Sequence, residues 1–227
     1  MHVAVFGSTG FLGKQICHSL ESKGWKVSPV VDSDSGKSSL DVEDVTWLDS
    51  IDEVGNLDAI VWAQGRNGSG TVLSTTKQDL DDLMETNVLF VASTLKSLAE
   101  RELLGSTCRA VVIGSVWQNL ARENKFAYLV SKSALTGLVG SVAVDMAGTG
   151  LSINAILPGV VDSPMTRSQI SVTALEAFRD ESLGGQLVSG SEVAEVVAFL
   201  VSPNSSGING QSIVVDHGWS KVRHVEP

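Results

Sequence analysis

The sequence has little cysteine, few aromatic residues and a deficit of positive charge. Its two cysteines, Cys17 and Cys108, are too few for a disulfide-dense secreted scaffold. Lys and Arg total 16 against 26 acidic residues, which gives a formal net charge of -10, and the basic residues are scattered along the chain. We therefore expect neither nucleic acid nor an anionic membrane surface as a partner.

Long apolar runs and metal-ligand motifs are also missing. No uninterrupted apolar stretch reaches membrane-spanning length, so the sequence predicts a protein without a membrane span. The four histidines are isolated from one another and from the cysteines, which predicts no metal site. The first strand-like run begins at His2 and leaves no room for a signal or transit peptide, which predicts a cytoplasmic location.

Short runs of β-branched and other apolar residues alternate with longer stretches of helical periodicity. The strand-like runs cover 2–6, 26–31, 57–63, 109–114, 151–157 and 212–216, and the helical stretches cover 11–23, 76–104, 127–148 and 191–201. This alternation predicts an α/β fold with a doubly wound parallel sheet, and the length predicts one domain over 1–227. The weaker pattern over 163–190 indicates either a flap over the site or a surface helix.

A glycine-rich loop follows the first strand and leads into a helix. The stretch "GSTGFLG" repeats glycine at every third position, which permits a tight turn and a close backbone approach to a ligand. The N-terminus of the following helix offers unpaired N–H groups to a pyrophosphate. The predicted dinucleotide contacts are Gly7, Ser8, Thr9, Gly10, Phe11, Leu12 and Gly13.

The only tyrosine of the chain, Tyr128, is followed four residues later by Lys132. On a helix these side chains lie on one face, so both can serve one site. A nearby ammonium and the helix N-terminus would lower the pKa of the phenol from its ordinary value of about 10. Ser115 follows a predicted strand at the edge where parallel sheets bind ligands, and Asn87 lies within a long helical stretch.

Taken in order, these motifs resemble those of the short-chain dehydrogenase/reductase family, in its single-domain subgroup. The resemblance covers nearly the whole chain and includes "GSTGFLG" (7–13), "AQG" (63–65), "ETNV" (85–88), "IGS" (113–115), "YLVSK" (128–132), "LPGVVDSPM" (157–165) and "INGQSIVVDHG" (208–218). It implies an NAD(P)-dependent oxidoreductase that acts on a secondary alcohol or ketone. The G-x-x-G-x-x-G spacing of the first motif is atypical of that subgroup.

The resemblance also implies a role for each matching residue. Tyr128 would be the general acid/base, and Ser115 would orient the substrate carbonyl or hydroxyl. Lys132 would bind the nicotinamide ribose and lower the tyrosine pKa, and Asn87 would hold a water in a proton relay. Further cofactor contacts are expected from Asp41, Val42, Ala63, Gln64, Gly65, Pro158, Gly159, Val161 and Ser163.

Cofactor choice depends on Asp32, at the end of the second predicted strand. An acidic residue there accepts hydrogen bonds from the adenosine ribose and repels a 2'-phosphate, so we expect NAD, with NADP possible. Asp32 falls one residue later after Gly24 than the family spacing, and a β-bulge near Pro29 would correct this offset. The alternative interpretation is a solvated loop aspartate.

Two other functions fit parts of the pattern. One is a cofactor-binding sensor without turnover, which would have no need of all four of Asn87, Ser115, Tyr128 and Lys132. The other is an epimerase or dehydratase that uses permanently bound NAD for a transient oxidation.

The long helices are also expected to pair two chains, giving a homodimer or homotetramer. Relatives of this fold associate through the helices that correspond to 76–104 and 127–148. The apolar residues of the second stretch exceed what one face packed on a sheet requires; they are Leu135, Leu138, Val139, Val142 and Val144.

Overall fold

The structure, a computed structural model, describes residues 1–30 and 56–221, and six parallel strands of this part form one sheet. The strands are β1 (His2–Phe6), β2 (Lys26–Val30), β3 (Leu57–Trp62), β4 (Leu104–Ile113), β5 (Ser152–Pro158) and β6 (Ser212–Val215). Their order is β2-β1-β3-β4-β5-β6. The chain therefore winds outward in both directions from β1, and a crevice opens beyond the carboxyl ends of β1 and β3.

Helices cover both faces of this sheet. They are α1 (Phe11–Ser22), α2 (Lys77–Met84), α3 (Phe90–Glu100), α4 (Phe126–Asp145), α5 (Pro164–Gln169), α6 (Val172–Asp180) and α7 (Gly190–Val201). A π-helical turn, Glu85–Leu89, joins α2 to α3, and the weakly patterned segment 163–190 contains α5 and α6. The predicted single-domain, doubly wound α/β fold is confirmed.

Local sequence signals fix where two of these helices begin. Before α2, the Thr76 hydroxyl accepts a hydrogen bond from Asp79 N at 3.1 Å, and the Asp79 carboxylate accepts one from Thr76 N at 3.0 Å. Ser189 and Glu192 form the same reciprocal capping box before α7. Because each box satisfies backbone N–H groups that the helix cannot, the helix starts are encoded locally.

The core has one apolar layer on each face of the sheet. On the face covered by α3 and α4, the Phe6 ring stacks on Trp62 with ring centroids 5.9 Å apart, and Phe90 meets Phe6 edge-on at 5.6 Å. On the other face, Ile16 of α1 and Val197 of α7 pack against the strands. Burial of each such side chain stabilises the fold by about 1.5–3 kcal/mol, so the sheet is a rigid platform for its carboxyl edge.

The second strand is regular through Pro29, so the predicted bulge near this residue is wrong for the part of the chain that is described. Every residue from Lys26 to Val30 pairs in order with β1. Among the described strands β2 lies at an edge of the sheet, where a proline without an N–H group need not break a ladder bond. Asp32 itself lies outside the described residues.

Helix α4 is apolar over most of its length. By length and composition alone this 20-residue helix, with a mean hydropathy of 1.4, could cross a membrane, although polar residues such as Lys132 interrupt its apolar run. Core helices of water-soluble proteins pass the same test. Leu135 and Val139 lie in the core of the sheet, and Leu138 and Val142 pack partly against it, whereas Val144 is 74% exposed. Most of the residues expected to mediate assembly therefore serve the fold of their own chain.

Candidate active site

The glycine loop turns sharply from β1 into α1. Gly7 has a φ of 72°, and a Cβ atom there would lie 2.6 Å from the backbone N of Gln64. At Gly13 a Cβ would lie 2.1 Å from the carbonyl oxygen of Gly7, so neither position has room for a side chain. Gly10 caps α1 without a side-chain hydrogen bond, which leaves the first-turn N–H groups available. This cradle fits a pyrophosphate group.

The other residues of the loop differ in their surroundings. Ser8 is buried, and its hydroxyl donates a hydrogen bond of 3.2 Å to the carbonyl oxygen of Val30. Leu12 packs against the core on the α1 side, whereas Thr9 and Phe11 are exposed. The Ser8 hydroxyl therefore attaches the loop to the end of β2, whereas Thr9 and Phe11 face solvent.

The "AQG" segment follows β3 and passes beside the predicted catalytic residues. The Oε1 atom of Gln64 is buried and has no hydrogen-bond partner among residues 1–30 and 56–221. A Cβ atom added to Gly65 would lie 3.4 Å from Lys132 Nζ and 3.6 Å from Asn87 Oδ1. Ala63 packs partly buried against the core on the α1 side. The absence of a side chain at Gly65 keeps the backbone close to both functional groups.

Asn87 lies in the π-helical turn, a kind of irregularity that often occurs at functional sites. It is buried, and its Oδ1 accepts a hydrogen bond of 2.9 Å from the backbone N of Arg66. Its Nδ2 donates to the Arg66 carbonyl oxygen at 3.1 Å and to Ser131 Oγ at 2.9 Å. The Asn87 amide thus connects the loop after β3 with helix α4.

Ser115 and Tyr128 meet at the carboxyl edge of the sheet. Ser115 caps the 3-10 turn Val116–Gln118 after β4 and is buried, and Tyr128 lies half-buried in the first turn of α4. Burial raises the pKa of the Tyr128 phenol, and a side-chain hydrogen bond with Ser115 only partly opposes this rise. The expected lowering of the tyrosine pKa is therefore not found, because loss of solvent outweighs the favourable contacts.

Lys132 is buried beneath the loop that contains Gly65. Its Nζ donates a hydrogen bond of 3.1 Å to the carbonyl oxygen of Ile113, and burial lowers its pKa to about 8. An ammonium group has three donors, and no second acceptor for this one is found in the part of the chain that the structure describes. A ligand that brings hydroxyl oxygens, such as a ribose, fits the remaining donors.

Two residues that the sequence did not single out support this arrangement. Gln118 accepts a hydrogen bond from Ser115 N at 3.2 Å and donates one to Thr136 of α4, also at 3.2 Å. Ser131 receives the bond from Asn87 and donates to the Tyr128 carbonyl oxygen at 2.9 Å. The signal was present: Ser131 is a polar residue within an apolar helix, beside the motif residues. A polar side chain buried in an apolar helix usually forms hydrogen bonds.

The segment after β5 completes the edge of the site. Pro158 ends β5, and a Cβ atom at Gly159 would lie 2.8 Å from the Cβ of Asp216, so the chain is tightly packed here. Val161 forms an isolated bridge with the segment before α7. The Ser163 hydroxyl accepts a hydrogen bond of 3.1 Å from a first-turn N–H of α5 and serves as its N-cap.

The structure thus brings Asn87, Ser115, Tyr128 and Lys132 to one edge of the sheet beside the glycine loop. The predicted cofactor contacts Asp32, Asp41 and Val42 lie outside the described residues. A glycine loop at the point where the strand order reverses is the arrangement of α/β proteins that bind dinucleotides. The fold and the glycine loop therefore place the protein in the class of dinucleotide-binding α/β proteins.

Comparison with known proteins gives the family. A family model described as enoyl-(acyl carrier protein) reductase matches residues 37–220. The rat protein named dehydrogenase/reductase SDR family member 6 is 31% identical over 189 residues, which are 79% of this chain and 77% of that protein. The chain belongs to the short-chain dehydrogenase/reductase family, as its motifs predicted. It is an NAD(P)-dependent oxidoreductase.

Two further similarities extend over almost the full length. The 3-oxoacyl-(acyl-carrier-protein) reductase FabG of Salmonella typhimurium is 26% identical over 237 residues, covering 96% of each chain. A crystal structure of a single-residue variant of the actinorhodin polyketide ketoreductase with NADPH superposes with a TM-score of 0.84 at 25% identity. It covers 97% of this chain and 98% of that one.

Proposed function

We propose that the protein transfers hydride between a nicotinamide cofactor and a secondary alcohol or ketone, with Tyr128 as the general acid/base. The observation that supports this proposal is the position of the Ser115 hydroxyl close to the Tyr128 phenol, whose pKa it lowers against the larger effect of burial. A hydroxyl and a phenol that lie close together can both reach one substrate oxygen. Pairs of this kind suit a carbonyl whose oxygen gains negative charge during reduction.

Tyr128 is suited to donate a proton in the direction of reduction. Because its pKa is raised, the phenol carries its proton throughout the neutral pH range. Proton donation by a positioned side chain accelerates such reactions by about 10²–10⁴-fold. Ser115 would donate a hydrogen bond to the same substrate oxygen and stabilise its developing charge. In the oxidation direction the phenolate form of Tyr128 would accept the proton of the alcohol.

The cofactor, when bound, supplies or accepts the hydride. The glycine loop would hold its pyrophosphate, and the buried Lys132 ammonium would donate hydrogen bonds to ribose hydroxyls. Because Gly65 has no side chain, the space beside this ammonium stays open. Asn87 would position the loop after β3 and, through Ser131, the start of α4. Pro158, the backbone up to Val161 and Ser163 would flank the nicotinamide.

We further propose NAD as the preferred cofactor. Asp32 would accept hydrogen bonds from the adenosine ribose and repel a 2'-phosphate. The loop 7–13 contains no Arg or Lys that could compensate the charge of such a phosphate. NADP is the alternative, and the cofactor preference is directly measurable.

Assembly as a homodimer or homotetramer and a cytoplasmic location are part of the same proposal. Val130 of α4 is 39% exposed and Leu89, next to α3, is 48% exposed. Cβ atoms added to Gly137 and Gly140 on α4 would meet nothing within 4 Å. An exposed apolar face interrupted by glycines lets two helices approach closely, which favours pairing of this surface with a second copy.

Segment 163–190 would cover the substrate.

A substrate screen tests the proposal. Secondary alcohols and ketones are incubated with each cofactor, and the nicotinamide absorbance is followed. Net cofactor oxidation or reduction that is stoichiometric with product supports hydride transfer to an external substrate. Cofactor that copurifies with the protein and is not consumed during turnover would indicate an epimerase or dehydratase. Tight cofactor binding without any turnover would indicate a sensor.

A further inference from the structure

Three aromatic side chains from distant segments meet beside the candidate active site. Trp117, whose backbone N donates to Ser115 Oγ at 3.3 Å, lies with its ring centroid 5.6 Å from that of Trp219. Phe178 of α6 lies 5.5 Å from Trp219. The cluster therefore connects the loop after β4 with the 163–190 segment and with the end of the described chain.

Arg122 is held between two of these rings. The central carbon of its guanidinium lies 5.8 Å from the Trp117 ring centroid and 5.7 Å from that of Phe178. Cation–π contacts use the faces of the guanidinium and leave the N–H donors along its edge available. No acceptor or carboxylate is bound to the Arg122 side chain anywhere in 1–30 or 56–221. Arg122 is thus an exposed arginine that lies against two aromatic rings and has no ion pair among residues 1–30 and 56–221.

A second cation adds to the positive potential at this place. Lys125 Nζ lies 5.8 Å from the Tyr128 ring centroid, and burial together with the charge of Arg122 lowers the pKa of Lys125. The donors of this ammonium already bind Asn67 Oδ1 and the Gly68 carbonyl, each at 3.0 Å, and a neighbouring serine hydroxyl at 3.2 Å. Lys125 therefore contributes charge, whereas Arg122 contributes both charge and free donors.

The carboxylates of Asp162 and Glu181 are bound to other groups. Asp162 accepts two hydrogen bonds from Arg167, at 2.6 and 2.8 Å, so these two charges compensate each other. Glu181 accepts a hydrogen bond of 2.9 Å from the indole N–H of Trp219. Glu123, the neighbour of Arg122 in sequence, is exposed and forms no ion pair in the described chain.

We propose that the substrate carries an anionic oxygen group, a carboxylate or a phosphate, which binds to Arg122 while its carbonyl or hydroxyl carbon lies at Tyr128 and Ser115. The planar edge of a guanidinium matches both groups with two parallel hydrogen bonds. The rings of Trp117, Phe178 and Trp219 would form an apolar wall for the carbon chain between the two ends of the substrate. This inference rests on the proposed function, because it names the substrate class of the same site.

Matched substrates separate the inference from the proposed function. Oxo carboxylates with two to five carbons between the functional groups are compared with their methyl esters, and ketone phosphate monoesters with their parent alcohols. We expect kcat/KM to be about 10- to 100-fold higher for the anion, the effect of losing a hydrogen bond to a charged group. The Arg122→Gln variant should remove this preference and leave turnover of the neutral partners within about twofold. The carboxylate and phosphate arms show which anion is used.

Arg109→Gln is the matched control, since Arg109 lies on β4 away from its carboxyl end, with its side chain bound to the Thr107 carbonyl. It should keep the anion preference. Equal rates for anion and neutral partner in the wild-type protein would overturn the inference and leave hydride transfer intact. Equal loss of both substrates in Arg122→Gln would also overturn it, because it would show a purely structural arginine.

A binding measurement covers the case in which no substrate of the panel turns over. Trp117 and Trp219 provide intrinsic fluorescence beside Arg122, so the wild-type protein is titrated with the same oxo carboxylates, their esters and inorganic phosphate. A saturable change with an anion that is absent from Arg122→Gln and present in Arg109→Gln supports the anion site. The same response in all three proteins, or in none, contradicts it.

Discussion

Asn87 and Ser131 lie on different helical segments, and the Asn87 amide donates a hydrogen bond of 2.9 Å to the Ser131 hydroxyl. The Ser131 hydroxyl in turn donates a hydrogen bond of 2.9 Å to the Tyr128 carbonyl oxygen. The same Nδ2 of Asn87 also donates to the Arg66 carbonyl oxygen, and Oδ1 accepts a hydrogen bond from the Arg66 backbone N. A continuous set of hydrogen bonds therefore runs from the loop after β3 to the helix that carries Tyr128 and Lys132. The positions of the loop after β3 and of Tyr128 are therefore coupled through these bonds.

The glycine cradle gives the first prediction. In Gly13→Ala the new methyl group would lie 2.1 Å from the Gly7 carbonyl oxygen, so the loop or α1 must shift. We expect the free energy of unfolding to fall by about 1–3 kcal/mol. Cofactor affinity should also drop, because the loop no longer has its binding shape. Chemical denaturation and a cofactor titration measure the two effects.

Gly207→Ala is the control for this change. A Cβ atom there meets nothing within 4 Å, so stability should stay within about 0.5 kcal/mol of the wild type. Equal cofactor affinity of Gly13→Ala and the wild-type protein would refute the proposed pyrophosphate cradle.

Lys132 predicts a pH dependence of cofactor binding. Its pKa is lowered to about 8 by burial, so the ammonium is fully present below this pH and is lost as the pH rises through it. The dissociation constant of the cofactor should be constant at lower pH and rise by up to about tenfold per pH unit above 8. Fluorescence titration with NADH from pH 6 to 9.5 measures it.

Lys132→Met removes the titrating group and supplies the comparison. This variant should bind the cofactor weakly at every pH and show no bend near pH 8. A wild-type dissociation constant that does not change between pH 7 and 9.5 would contradict the role of the ammonium.

Cofactor choice provides a third prediction. If Asp32 faces the adenosine ribose, kcat/KM with NADH exceeds that with NADPH, and Asp32→Ala shifts the ratio of the two values toward NADPH. The reason is the loss of repulsion against a 2'-phosphate. Asp34→Ala, in the same stretch of sequence, is the control and should leave the ratio unchanged. A clear NADPH preference of the wild-type protein, or an unchanged ratio in Asp32→Ala, rules the assignment out.

Assembly through α4 gives the fourth prediction. Gly137 has open space around it, so Gly137→Gln costs the single chain nothing and favours its helix by about 0.8 kcal/mol. If two copies pack at this face, the added side chain forces them apart. Sedimentation velocity should show a dimer or tetramer for the wild type and for Glu21→Gln on the opposite face of the sheet. Gly137→Gln should be monomeric, and a monomeric wild-type protein would refute the proposed assembly.

Much of the fold was predictable because its signals are local. Alternating apolar runs predicted the six strands and the helices between them, and the capping residues Thr76 and Ser189 mark two helix starts. The start of β4 was not predictable, since residues 105–107 carry no apolar side chain. Of residues 104–107 only Leu104 pairs with β3, and the register shifts before pairing resumes at Arg109. The interpretation of Pro29 was wrong because edge position depends on strand order, which spacing does not reveal.

The site, like the fold, was predictable only where its signals are local in sequence. Sequence spacing was enough to select Ser115, Tyr128 and Lys132, which the structure gathers at one edge. It could not give the direction of the Tyr128 pKa, because this depends on how deeply the phenol is buried rather than on its distance from Lys132 along the helix. The hydrogen bonds from Gln118 to Thr136 and from Asn87 to Ser131 were missed for a related reason: each joins segments that are far apart in sequence.

The central claim is that Tyr128 transfers the proton, and the Tyr128→Phe variant tests it most directly. The change removes only the phenolic hydroxyl, so the fold should be unchanged. The cofactor dissociation constant should stay within about twofold of the wild-type value. With a ketone substrate and reduced cofactor, kcat measured at the nicotinamide absorbance should fall by about 10²–10⁴-fold or more. A Tyr128→Phe protein that keeps most of the wild-type kcat would contradict the account.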